Sequence, residues 1–234
     1  MKWFLLVVVF VMSGGVYWFT TSTSAPVIDD GAEKKDDSKE YTIDPADFLN
    51  NSLTVATTSD VTLSSNEVIG LLRMREEEKL ARDVYEALGT KWGVPLFSNI
   101  ARSEQTHTNA VQKLLALYGI QDPVGVDIRG EFQDANLQEL YNNLVAQGYE
   151  SLDKALAVGA TVEDLDIFDL ERLMQETKNE QILTVYRNLQ KGSRNHLRAF
   201  HDQLERRTIT YTPQYISEAT FSSIINSSQE RGRM

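Results

Sequence analysis

Cysteine is absent from the 234 residues, which removes disulfides, zinc ribbons, thiolate-held iron–sulfur clusters and a cysteine nucleophile together. The compartment stays open on that count. A basic excess is missing too, since 23 lysines and arginines face 34 aspartates and glutamates for a net charge of −11. Nucleic acid is therefore not an expected partner, because phosphate binding needs a basic face. Histidine is scarce, limited to His107, His196 and His201, so any metal site must lean on carboxylates. No glycine-rich phosphate loop and no series of hairpins occurs. What is there, 41% hydrophobic and 24% charged, suits a globular chain with one substantial domain.

Lys2 precedes an apolar run from Trp3 to Met12, then Ser-Gly-Gly, Val16 to Phe19 and a small-residue stretch ending at Ala25. Residues 1–25 read as a signal peptide cleaved after Ala25, or as an N-terminal membrane anchor if retained. Either way the remainder is expected to be extracytoplasmic, secreted or anchored to the membrane. Residues 26–63 contain DDGAEKKDDSKE and little that forms a core, so they read as a polar, largely disordered linker.

From 64 to 207 the apolar positions step by three and four, which is how one face of an α-helix repeats. Ser64 with Glu67 fits a capping box and opens a helix to about Leu88, with stripe Leu71, Met74, Glu78, Ala81, Tyr85 and Leu88. Glu76 and Glu77 fall off that stripe and are expected to face solvent. Pro95 opens a second helix ending at Gly119, with stripe Phe97, Ile100, Glu104, His107, Val111, Leu114 and Tyr118. A loop rich in Asp, Pro and Gly and a short helix over 137–146 follow. The next helix, Ser151 to about Glu176, carries Leu152, Leu156, Gly159, Glu163, Asp166, Leu170 and Leu173, leaving Asp164 and Asp169 to hydration. Thr177 with Glu180 reads as a capping box for the last long helix, to about Arg207, with stripe Ile182, Tyr186, Leu189, Ser193, His196 and Phe200. The tail 208–234 holds enough apolar residues to pack loosely on the rest.

Each long helix thus interrupts its apolar stripe near mid-length. Glu78 does so on the first, Glu104 and His107 on the second, Glu163 and Asp166 on the third, Ser193 and His196 on the fourth. Buried without partners these groups would cost several kcal/mol. Gathered in an antiparallel four-helix bundle, they would form a cluster that a shared cation neutralises. Oxygen ligands with two imidazoles suit iron or manganese better than metals that favour thiolates. A single acid on a core stripe is commonplace and is more often structural. The weight lies in the coincidence of four.

EKLARDVY at Glu78–Tyr85 is similar to the first metal helix of rubrerythrin-type proteins, and EQTH at Glu104–His107 is a complete Glu-x-x-His. The arrangement resembles the ferritin-like di-iron carboxylate bundle, with one Glu from each of two helices and a Glu-x-x-His from each of the others. Residues 64–206, including NIARSEQTH and GSRNHLRAF, resemble a rubrerythrin-related family, the domain of unknown function 2202. The resemblance implies an all-α, ferritin-like four-helix bundle with a short extra helix in its crossover. It also implies two iron ions, or iron with manganese, held by Glu78, Glu104, His107, Glu163, Asp166 and His196. The fourth helix departs from the pattern, reading Ser193-Arg194-Asn195-His196 where Glu-x-x-His is expected. Asp166 can compensate from its neighbour, or the protein holds a single transition metal.

Three functions are then open. One is an exported oxidoreductase of oxidase or peroxidase type, acting on dioxygen, peroxide or ferrous iron. It would need an external electron donor, because no cysteine is available for an iron–sulfur or rubredoxin-type module. The second is a non-catalytic bundle that sequesters or senses metal, and the third a metal-free interaction domain. Tyr85 is a candidate hydrogen-bond or radical partner on the first stripe, and Arg82 and Arg194 are candidate partners of the ligand carboxylates. A homodimer is compatible with the sequence.

Overall fold

The computed structural model describes residues 10–12, 15–17 and 63–231. The N-terminal unit contains two three-residue strands, β1 (Phe10–Met12) and β2 (Gly15–Tyr17). They pair antiparallel, with Phe10 opposite Tyr17 and Met12 opposite Gly15. This hairpin departs from the all-α expectation. Ser13 and Gly14 separate two runs of β-branched and aromatic residues, a composition that favours a tight turn. The hairpin falls inside the run read as signal or anchor. The rest of that run, and the linker expected before residue 63, lie outside the described residues. Among the described residues no helix is long and apolar enough to cross a membrane.

Residues 63–231 form a second unit and are all-helical: α1 (Ser65–Trp92), α2 (Pro95–Leu117), α3 (Ala135–Gly148), α4 (Leu152–Gln175), α5 (Glu180–Arg206) and α6 (Glu218–Ile225). The capping box of Ser64 and Glu67 is present in both directions and fixes the start of α1. The helix runs about a turn past the expected Leu88, to Gly93, whose φ of 66° is the left-handed conformation that a side chain would resist. Pro95 then starts α2 directly, and so short a connection sets α1 and α2 side by side. On α5 the cap is Asn179, whose side chain accepts from Gln181 and Ile182, and not Thr177. Thr177 instead accepts from Asn179 N and donates to Glu67 at 2.5 Å, tying the start of α1 to the start of α5.

The long helices pack α1 along α2 and α4 along α5, with α1–α4 and α2–α5 contacts between the two pairs. One part of the core draws on all four, with Leu71 and Met74, Val111 and Leu114, Leu170 and Leu173, and Ile182 and Leu189 buried together. Each apolar stripe read from the sequence faces this interior, which places the polar interruptions inside as well.

The outer face of α1 is not the solvated face that its charges suggested. Glu76 is 5% exposed and Glu77 is 7% exposed. Glu76 accepts from the backbone of Gln133 and Asp134, Lys79 donates to Asp83 and to Ile128 O, and Arg82 grips both oxygens of Asp127. Lys79 also lies 4.4 Å over the Phe132 ring. The loop between α2 and α3 is thus bound down by charges, each of which finds a partner.

Asp164 and Asp169 are likewise buried, contrary to the hydration expected of them. Asp164 receives the Tyr211 hydroxyl and the backbone N–H groups of Gln214, Tyr215 and Ile216. Asp169 pairs with Arg73 and Arg172. The tail is accordingly fixed and not loose. Arg194 and Arg198 on α5 hold Glu230, and Arg198 also donates to Ile224 O at the end of α6.

Candidate metal centre

Four of the helices deliver one turn each to a common point. The i, i+3 spacing on α2 puts Glu104 and His107 on one face, and the pair meets at 2.7 Å between Oε2 and Nδ1. Glu78 comes from α1, with Oε2 3.2 Å from His107 Nδ1. His196 arrives from α5 with Nδ1 2.7 Å from the other oxygen of Glu104. Glu163 on α4 stands 3.6 Å from the same nitrogen. Two ligand sets result, Glu78–Glu104–His107 and Glu104–Glu163–His196, each with donor atoms within 4.8 Å of one another. Glu104 belongs to both, one oxygen to each imidazole. The two rings lie nearly parallel, 5.6 Å between centroids.

Five of the six residues expected at the site, Glu78, Glu104, His107, Glu163 and His196, are therefore brought together and buried. Asp166, the sixth, is only partly buried and belongs to neither set. Its carboxylate accepts from the Ser193 hydroxyl, the residue standing where a fourth-helix glutamate was expected. Ser193 is held in turn against Leu189 O at 2.9 Å.

Arg82 and Arg194 do not serve the cluster. The first is taken up by Asp83, Asp127 and Gln105, and the second by Glu230 and Gln190. A second group, His201, Asp202 and Glu205, clusters on the partly exposed face of α5, and His201 stacks on Phe221.

Tyr85 and Ser103 complete the surroundings. The Tyr85 hydroxyl donates to Glu163 Oε1 at 2.5 Å, from a ring fully buried between Phe97 and Phe200. Ser103 Oγ lies 3.1 Å from His196 Nε2, leaving Nδ1 of that ring to face the carboxylates. Sequence reading missed Ser103, because a serine beside a stripe carries no signal until its neighbouring helix is known. Glu77 was missed as well. It lies buried where α1 meets α4, paired with Arg73 at 2.7 Å and near Asp169.

With no cation present the electrostatics are costly. Burial pushes the Glu78 carboxyl up to about 8, with Glu104 adding to it and His107 opposing. Burial also raises Glu163, and it raises Asp166 well above the usual range, with Glu78 contributing. Glu104 is the exception, because its two histidines outweigh burial and hold it below the ordinary carboxylate range. Against burial, Glu104 and Glu163 raise His196 to about 10, and Glu104 and Glu78 raise His107 well above its usual value.

The donor set fits a cation on a further count. Glu78 Oε1, Glu104 Oε1 and His196 Nδ1 are buried without a hydrogen-bond partner. Glu104 Oε1 and His196 Nδ1 are close but not aligned for a hydrogen bond. Each such buried group costs about 1–3 kcal/mol, and a shared cation would remove that cost.

Fold and site together define a helical protein with a buried carboxylate–imidazole cluster. Residues 67–228 match the family described as uncharacterized protein domain DUF2202, and the chain belongs to that family. It is similar to the uncharacterized protein MJ0754 of Methanocaldococcus jannaschii, 55% identical over 170 residues that span 73% of this chain and 92% of that protein. It also matches the crystal structure of the hypothetical protein MJ0754 from Methanococcus jannaschii at 52% identity and a TM-score of 0.73. That match covers 75% of this chain and all of that one.

Proposed function

We propose that residues 64–207 are a ferritin-like four-helix bundle holding two iron ions, or iron with manganese, and that it works as an oxidase or peroxidase on dioxygen, peroxide or ferrous iron. The observation that supports this most is Glu104, whose two oxygens each lie 2.7 Å from a different histidine. A carboxylate with one oxygen toward each imidazole could be shared by two cations. Glu78 with His107 and Glu163 with His196 would complete the two positions. Such a pair, when bound, supplies redox chemistry with dioxygen or peroxide.

The rest is the work of the chain. The apolar packing around Tyr85, Phe97 and Phe200 excludes bulk water from one side of the cluster. Tyr85 orients Glu163 by donating to Oε1, and Ser103 sets the ring orientation of His196. Electrons must come from outside, because no cysteine is present to hold a second redox centre.

Metal analysis of protein purified without chelator tests the site. The double variant Glu104→Ala, His107→Ala should lose most of its metal, and unchanged stoichiometry rejects the site. Peroxide consumption with a reductant, or ferrous oxidation above background, tests the reaction. Ser193 favours a second reading, metal sequestration without turnover, because the fourth-helix carboxylate is replaced by a hydroxyl already engaged with Asp166. Full metal loading with neither activity would establish that reading.

A further inference from the structure

A cleft of about 590 Å³ opens between α1 and α2 on the side away from the core. That size lies within the range of small-molecule sites. Gly89 and Ala101 line its base, with the buried Tyr85 ring beneath them. A Cβ at Gly89 would lie 3.3 Å from Phe97 Cβ, so α1 and α2 approach closely beside the cleft. The rim carries Arg102 and Arg129, with Glu86 between the helix and the loop.

These two arginines are held less closely by carboxylates than five others in the unit. Arg73, Arg75, Arg82, Arg194 and Arg198 each meet a carboxylate at 3.0 Å or closer. Arg129 reaches Glu86 only at 4.0 Å, and Arg102 gives a hydrogen bond to the neutral Asn99 at 2.6 Å. A guanidinium carries five N–H donors in a planar fork shaped to grip a carboxylate. Two cations against one Glu86 leave the rim positive, in a chain whose net charge is −11.

We propose that this cleft binds a small organic monoanion, a carboxylate with an apolar body. The carboxylate would lie against Arg102 and Arg129, and the body over Gly89 and Ala101. Tyr85 is the partition between this cleft and the buried cluster, since its hydroxyl reaches Glu163 Oε1 at 2.5 Å. A molecule in the cleft is therefore one side chain away from the proposed metal centre. The significance of that placement rests on the metal reading, while the binding itself does not.

The test uses the full chain with benzoate as probe, followed by ligand-observed NMR and calorimetry, with benzyl alcohol as the uncharged control. Benzoate should bind saturably at millimolar concentration and benzyl alcohol should bind at least several-fold more weakly. The double variant Arg102→Ala, Arg129→Ala should weaken benzoate roughly tenfold, as loss of charge-assisted hydrogen bonds does. Ser98→Leu, at an exposed position on the lining, should block the cleft without disturbing the core.

Metal content is measured on every variant. Loss of benzoate binding at wild-type metal content assigns the ligand to the cleft. Benzoate binding by a protein that takes up no metal keeps the cleft and removes the metal reading. Absence of benzoate binding in the wild type overturns the proposal, as does equal binding by all variants or by benzyl alcohol.

Discussion

The Ser193 hydroxyl on α5 donates to the Asp166 carboxylate on α4, across the interface where the ferritin-like pattern that the sequence resembles has a fourth-helix glutamate. The pair supplies an oxygen-rich edge beside the cluster, and Asp166 itself belongs to neither ligand set. The position served by Glu163 and His196 lies on the same two helices as this pair. Asp166→Asn should therefore weaken the second equivalent of metal by about 10- to 100-fold, the usual effect of removing an outer-shell partner. The first equivalent should bind as before. Calorimetric titration with divalent manganese reads both, and two unchanged equivalents would show Asp166 to be a bystander.

The metal-free protein should lose stability as pH rises from about 6.5 to 10. His196 has its pKa raised from 6.5 to about 10, chiefly by Glu104 against the effect of burial. A base raised in the folded state contributes stability that is complete below 6.5 and is lost as pH climbs through 10. Glu78, an acid raised from 4.5 to about 8 by burial, acts in the same direction, since the folded state keeps a proton that the unfolded chain has released. Glu104 is depressed, so its contribution disappears only in strong acid, outside this window. Thermal melts of chelator-treated protein at pH 6.5, 8 and 9.5 should fall in that order. Added manganese should flatten or reverse the trend, because metal binding needs the deprotonated ligands. A flat metal-free series contradicts the burial of these groups.

The interior of the helical unit was legible because it repeats. Steps of three and four placed Glu78, Glu104, His107, Glu163 and His196 on buried faces, and these five residues meet. The same rule failed on the outer face of α1. Glu76 and Glu77 read as solvent-facing, yet both are buried, as are Lys79 and Asp83 near them. Their partners are the backbone of Gln133 and Asp134, Ile128 O and Gly130 N, together with Arg73 on α1 itself. Most of those groups lie 40 or more residues away on a loop, and backbone partners leave no signature in a sequence. Asp164 was hidden for the same reason, since three of its four donors are backbone N–H groups of the tail. Periodicity finds the face a helix gives to the core, but not the face it gives to a loop.

Gly159 on α4 is required by a close approach. A Cβ there would lie 2.3–2.5 Å from three atoms of the Phe200 ring, which is too near for any side chain. Phe200 stacks on Tyr85 at 5.3 Å, and Gly159 O accepts from the Tyr85 hydroxyl at 3.3 Å. Gly159→Ala should displace Phe200 and, through it, Tyr85, costing about 1–3 kcal/mol as overpacking does. Urea denaturation gives the stability, and manganese affinity shows whether Glu163 has lost its orienting donor. An unaltered midpoint would mean that the ring has room to turn.

Lys79 is the most buried cation of the crossover contact, with no measurable exposure, and it holds the loop before α3 through Asp83, Ile128 O and the Phe132 ring. Lys79→Ala removes all three contacts, but Asp83 keeps Arg82 and Gly130 N as partners, so its charge is not stranded entirely. The cost should then be about 3 kcal/mol, at the low end for breaking a buried pair. Most of that loss should appear locally, because the loop has Glu76 and Arg82 as its other principal anchors to α1. Hydrogen exchange should accelerate at the backbone of Gly130, Gln133 and Asp134, and much less at Leu114 or Leu189 in the shared core. Lys79→Met, which retains the apolar stem, should recover part of the stability but not the protection at Gly130. Uniform acceleration throughout the helical unit would instead place Lys79 among the groups that hold the core together.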